Sequence, residues 1–217
     1  MTAALADRLC QGLAELGLDL PTAQVDQLMA YLGLIQKWNK VYNLTAVRDA
    51  SEMLSHHLLD SLAVIPSLRR HTGGIPVRLL DVGSGAGLPG VVISMCCPEI
   101  TVDCVDTVAK KAAFVQQAAA ALGLRNLKGI HARVEQLAGP YQVISCRAFA
   151  SLADFAVWSG AALAEQGAWL AMKGKHPTEE IAALPVSVQV FHVEQLSVPG
   201  LEADRCIVWM RKAPAVT

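Results

Sequence analysis

The chain has 217 residues, of which 53% are hydrophobic and 17% charged, and its formal net charge is −1. That composition excludes a disordered chain and suffices for a sizeable core without disulfides or metal clips. A balance so near neutral gives no bulk support for a long nucleic-acid track, so any such contact has to come from a local patch.

Residues 1 to about 70 read as helical. Leu5, Leu9, Leu13 and Leu16 recur at spacings of three and four, which puts them on one helix face. Pro21 suits the first turn of a second helix, whose apolar stripe is Val25, Leu28, Leu32, Ile35 and Trp38. A third helix is expected over 51–68, with Met53, Leu54, Leu58, Leu62 and Ile65 inward. Gly73-Gly74-Ile75-Pro76 is a breaker and divides a helical extension, 1–72, from a second domain, 73–217. Beyond it the pattern alternates. Strands are expected at 77–82, 100–105, 127–131, 142–146 and 167–172, with helices at 89–97, 109–122 and 151–163. Such alternation implies βαβ units and a mostly parallel sheet. The β-rich runs 188–196 and 206–212 have no helix between them and should pair antiparallel.

The cysteines, at 10, 96, 97, 104, 146 and 206, form no C-x-x-C pair, which argues against zinc and for reduced thiols. The N-terminus has no signal-like pattern, and no window reaches the ~20 apolar residues of a membrane span. A cytoplasmic protein, with no membrane and no metal, is therefore expected. No coiled coil or exposed apolar stripe demands a dimer, so a monomer is the simplest expectation.

The strongest local signal is Leu79-Leu80-Asp81-Val82-Gly83-Ser84-Gly85-Ala86-Gly87-Leu88-Pro89-Gly90. A buried strand runs into a glycine-dense turn and then a helix, an arrangement that lets a ligand lie against bare backbone. Two frames fit. Gly83, Gly85 and Gly87 give the G-x-G-x-G of S-adenosylmethionine enzymes. Gly85, Gly87 and Gly90 give the dinucleotide fingerprint. Asp106, about 20 residues on, can accept from ribose hydroxyls in either frame. Asp81 favours the first frame, since a carboxylate there can hold a cationic amino-acid end but opposes a pyrophosphate. The antiparallel C-terminal pair favours it too. The fold class is thus α/β: a Rossmann-like, S-adenosylmethionine-binding sheet with an antiparallel C-terminal strand pair and an N-terminal helical extension.

The run from Asp81 to Gly90 resembles the glucose-inhibited division protein B family, bacterial small-subunit rRNA guanine-N7 methyltransferases. Three further stretches carry the likeness: Tyr42-Asn43-Leu44-Thr45-Ala46 with His57-Leu58-Leu59-Asp60-Ser61, Ser145-Cys146-Arg147-Ala148-Phe149-Ala150-Ser151, and Met172-Lys173-Gly174. The resemblance implies methyl transfer from S-adenosylmethionine to N7 of a guanine in the 530 loop of 16S rRNA. Free rRNA and the small ribosomal subunit are both open as substrate. It also implies that Gly83, Leu88, Val134, Glu135 and Arg147 line the cofactor site.

Guanine N7 is already a nucleophile, so the enzyme needs alignment rather than a general base or covalent nucleophile. Cys146 reads as a structural thiol. Arg147, at the fourth strand's carboxyl edge, is placed to grip a phosphate, the guanine O6 face or the cofactor. Lys173, one strand further, is a candidate phosphate contact, with Lys175 and His176 extending the patch. Asn43, Thr45, His57, Asp60 and Ser61 admit structural and functional readings alike. Trp38, Trp158, Trp169 and Trp209 read as core. Residues 107–134 carry five basic side chains and no acidic one, a potential RNA-facing side. The rival reading is a methyltransferase for a small molecule or protein, its helical extension capping the pocket.

Overall fold

The computed structural model describes residues 2–214. Helix α1 (Thr2–Glu15) buries Leu9 and Leu13 as its leucine spacing requires. Pro21 stands just outside α2 (Thr22–Tyr42), at its N-cap, and α2 buries Leu28, Leu32 and Ile35. It stops at Asn43, which is left-handed at φ 48°.

The continuous helix expected over 51–68 is instead broken. Asp49 caps α3 (Ala50–Met53) by accepting from the Ser51 and Glu52 amides, a π-helical turn spans Leu54–Leu59, and α4 (Asp60–Leu62) follows. After a turn comes α5 (Ile65–Thr72), with Pro66 in its opening positions. Proline has no N–H for the preceding turn, which accounts for the interruption. The π turn is invisible to a search at period 3.6, because nearly every residue of 53–65 is buried and no polar face marks the extra residue.

The α/β part contains β1 (Arg78–Val82), α6 (Gly90–Cys96), β2 (Thr101–Asp106), α7 (Ala109–Leu122), β3 (Leu127–His131), β4 (Tyr141–Arg147), α8 (Leu152–Ser159), β5 (Leu163–Lys173), α9 (Thr178–Ala182), β6 (Val188–Leu196) and β7 (Arg205–Lys212). The strands form one sheet in the order β3-β2-β1-β4-β5-β7-β6. The first five are mutually parallel, and β7 runs antiparallel to both β5 and β6. Strand β5 begins four residues before the expected start, and α8 ends at Ser159, because 160–162 form a turn and Leu163 already pairs with Tyr141 of β4, ahead of a bulge after which the register resumes at Val143 and Ala168.

Successive strand residues point to opposite faces, so each face of the sheet has its own core. Leu79 joins the helices α1, α2, α5, α6 and α7 on one side, while Leu80 and Val82 join Phe155 and Trp169 on the other. The N-terminal helices thus share one core with the sheet. Among the described residues no helix is long and apolar enough to cross a membrane. The strand order reverses between β1 and β4, and ligands of open α/β sheets bind outside the carboxyl ends at such a switch.

Candidate active site

The chain leaves β1 at Val82 and enters the glycine turn at the carboxyl edge of the switch. Gly83 has φ 66°, and a Cβ there would lie 2.4 Å from the Phe149 ring. Both the left-handed backbone and the close approach therefore need glycine. Gly87 has φ 84°, and a Cβ on it would sit 2.4 Å from Val91 Cγ2. The Gly83 and Ser84 amides donate to the Val105 carbonyl at 2.9 and 3.2 Å, and the Gly85 amide donates to Asp106 Oδ2 at 3.0 Å. The second Asp106 oxygen accepts from the Val108 amide at 2.9 Å. From the other side the buried Tyr31 hydroxyl of α2 donates to the Ala86 carbonyl.

Asp81 lies in the interior, away from the cavities of this edge. It is fully buried, accepting from the Gly90 amide at 3.0 Å and the Ser145 hydroxyl at 2.8 Å. Burial pushes its carboxyl up to about 6, against the pull of those two hydrogen bonds and of Arg147. Its place is behind the loop, joining β1, β4 and the start of α6, rather than against a cationic group.

Two cavities open along this edge. The first, about 430 Å³, is lined by Gly83, Asp106, Val108, Val134, Glu135 and Phe149 among others. The second, about 440 Å³, is bounded by His57, Asp60, Arg147, Lys173 and Arg205. Ala148, left-handed at φ 49°, belongs to the walls of both. Of the expected cofactor contacts, Gly83, Asp106, Val134 and Glu135 therefore meet around one cavity. Gly85, Gly87 and the buried Leu88 shape the loop behind it, and Arg147 lies on the neighbouring cavity.

The second cavity is organised by a buried carboxylate. Asp60 Oδ2 accepts from Arg147 at 2.8 Å and Oδ1 from Arg205 Nε at 2.8 Å. Arg147 also donates to the His56 carbonyl at 2.9 Å, so the π turn is held against β4. His57 Nε2 lies 2.8 Å from the Thr45 hydroxyl, and burial and the Arg147 charge lower its pKa to about 4. Lys173 is not free for phosphate: it donates to Glu180 at 2.7 Å and to the Ala150 carbonyl at 3.0 Å. The Cys146 thiol is raised well above its usual range by burial first and the Asp81 charge second, so it stays protonated.

The sequence reading gave no role to Arg205, Phe149 or Glu180. Arg205 opens β7, whose antiparallel course brings its start to the carboxyl end of β5, so the expected antiparallel pair already carried that signal. Trp158 corrects the expectation of a core residue: it is 39% exposed, packs edge-on against Phe149 and lines the first cavity. No group of three or more metal-ligating side chains occurs among the described residues.

Five parallel strands extended by an antiparallel pair, with a glycine turn after β1 and an acid closing β2, define a class: the Rossmann-like methyltransferases. The fold is shared with magnesium protoporphyrin IX methyltransferase from Synechocystis PCC 6803, solved with bound SAM, at TM-score 0.60 and 13% identity over 86% of this chain and 97% of that one. It is shared too with TrmN from Thermus thermophilus, at TM-score 0.57 and 20% identity over 74% and 53%. Residues 24–208 match the family described as rRNA small subunit methyltransferase G, and the chain belongs to that family. Its relatives named ribosomal RNA small subunit methyltransferase G include those of Acidovorax ebreus (strain TPSY), 68% identical over 95% of both chains, and of Albidiferax ferrireducens, 66% identical over 96% of this chain and 98% of the relative.

Proposed function

We propose that this chain transfers a methyl group from S-adenosylmethionine to N7 of a guanine in small-subunit rRNA, the 530-loop guanine implied by the sequence resemblance. The observation that carries the reading is the pair of cavities meeting at Ala148. One is fitted for the cofactor and its neighbour for the base.

The first cavity suits the cofactor's parts. Asp106 offers oxygens to a ribose diol, Val108, Val134 and Phe149 give an apolar wall for a flat ring, and Gly83 lets the ligand approach bare backbone. Glu135 lies at the same wall, and Leu88 supports the loop. When bound, the cofactor would supply an electrophilic methyl to the N7 lone pair, the electrons of the broken C–S bond would stay on sulfur, and no residue would have to move a proton. The chain's task is alignment and charge. The product ring is cationic, and crowding by unpaired cations would oppose it. Around the second cavity Arg147 and Arg205 share Asp60, Lys173 is paired with Glu180, and His57 is neutral at neutral pH. Arg147 then borders the cofactor through Ala148 while ion-paired to Asp60. Lys173 acts by tying α9 to the loop after β4.

The test is labelled methyl transfer to small subunits, and to their extracted rRNA, from cells lacking this gene. Label at a single N7-methylguanine is expected. Absence of label with cofactor binding intact would overturn the rRNA reading in favour of a small-molecule or protein acceptor.

A further inference from the structure

We infer that Asp60 is the residue that reads the acceptor base, taking the N1–H and N2–H donors of guanine on its carboxylate; this rests on the rRNA reading above. Guanine alone among the four bases presents two adjacent donors on its Watson–Crick edge, and a carboxylate in plane accepts both. Asp60 is 3% exposed yet lines the second cavity. Each of its oxygens spends one acceptor position on an arginine, at 2.8 Å. An ionised carboxylate has about four such positions, so one on each oxygen is left for the base. The two arginines fix the plane of the carboxylate.

The surroundings point the same way. Asp60 sits directly after the π turn, a device that often marks functional sites. Its neighbours His57 Nδ1 and Ser61 Oγ are the buried side-chain polar atoms that lack a partner among the described residues. Unpaired buried polar atoms cost stability, so this stretch is poorly explained as a device for stability. The assignment also fits the reaction. N7 lies on the opposite side of the purine from the edge held by Asp60, which leaves it free for the cavity beyond Ala148. As positive charge develops on the ring, N1–H and N2–H become stronger donors, and their bonds to Asp60 tighten. An interaction that strengthens in the transition state raises turnover rather than mere affinity.

The experiment compares acceptor rRNA ligated with guanosine or inosine at the mapped target position. Inosine keeps N7 and N1–H but lacks the N2 amine. Wild-type protein is expected to methylate the inosine RNA about tenfold more slowly or worse. Asp60→Asn is expected to bind S-adenosylmethionine as wild type does, lose turnover on guanosine RNA, and show no remaining preference between the two RNAs. Equal wild-type rates on both RNAs would overturn the Asp60 assignment and leave the rRNA reading intact. So would an Asp60→Asn protein that retains its preference. If that variant does not fold, the wild-type comparison decides alone. If wild type labels neither RNA, it is the rRNA reading itself that fails, and the assignment goes with it.

Discussion

Gly83 bears two constraints that only a glycine side chain satisfies: a positive φ, and a Phe149 ring 2.4 Å from where a Cβ would be. Gly83→Val should therefore raise the cofactor dissociation constant about tenfold or more, measured by titration calorimetry, since the side chain both strains the turn and fills the cavity. Arg147 is constrained differently, by the carboxylate it serves. Arg147→Ala leaves Asp60 with Arg205 alone and should cost about 2 kcal/mol in denaturant unfolding; methyl transfer should fall about a hundredfold. Wild-type transfer rates would show Arg147 to be dispensable. Val134 and Glu135 came only with the family resemblance, whereas Gly83 and Asp106 were legible because each stands next to a strand end. Arg205 was not, because its role depends on which strand lies beside β5, and Asp81 was misread because nothing local says that Ser145 and the Gly90 amide close over it.

Two elements of the helical region act on the site from a distance. Helix α2 reaches the glycine turn through the Tyr31 hydroxyl and the Ala86 carbonyl. Tyr31→Phe leaves that buried carbonyl without its donor, at a cost of about 1–2 kcal/mol. A lower melting temperature and a raised KM for the cofactor are expected, with kcat on rRNA little changed; unchanged KM would mean that the turn holds its shape unaided. The π turn carries His57, whose pKa falls from 6.5 to about 4. A base depressed on folding contributes stability that is complete above its unfolded value and lost as pH falls through its folded one. His57→Gln should therefore flatten the stability curve between about pH 6.5 and 4, by up to about 3 kcal/mol. Asp81, raised from 3.8 to about 6, runs the opposite way in an overlapping range, so the wild-type-minus-variant difference curve by calorimetry is the quantity to read. The strand pattern was readable because β-rich runs and breakers alternate cleanly. The π turn was not, because a segment buried all round has no amphipathic period to betray it.

Over the whole molecule charge is segregated. Residues 107–134 hold five of the basic side chains and no acidic one, so they carry +5 while the rest of a chain of net −1 carries −6. Lys110, Arg125, Lys128 and Arg133 in this stretch are exposed. If this edge meets phosphates, reversing Lys110 and Lys128 to Glu should weaken rRNA binding and lower the slope of log affinity against log salt by about 0.7–0.9 for each phosphate no longer neutralised. An unchanged slope in a binding assay would place the phosphates elsewhere. The order of strands adds a constraint of timing. Strand β7 lies inside the sheet between β5 and β6, with Ile207, Val208 and Met210 fully buried, and it delivers Arg205 to Asp60. A ribosome makes it after the other six strands. A nascent chain can already have its glycine turn and Asp106 while the sheet still lacks an inner strand and Asp60 one of its two arginines, so the second cavity is complete only after β7 has left the exit tunnel.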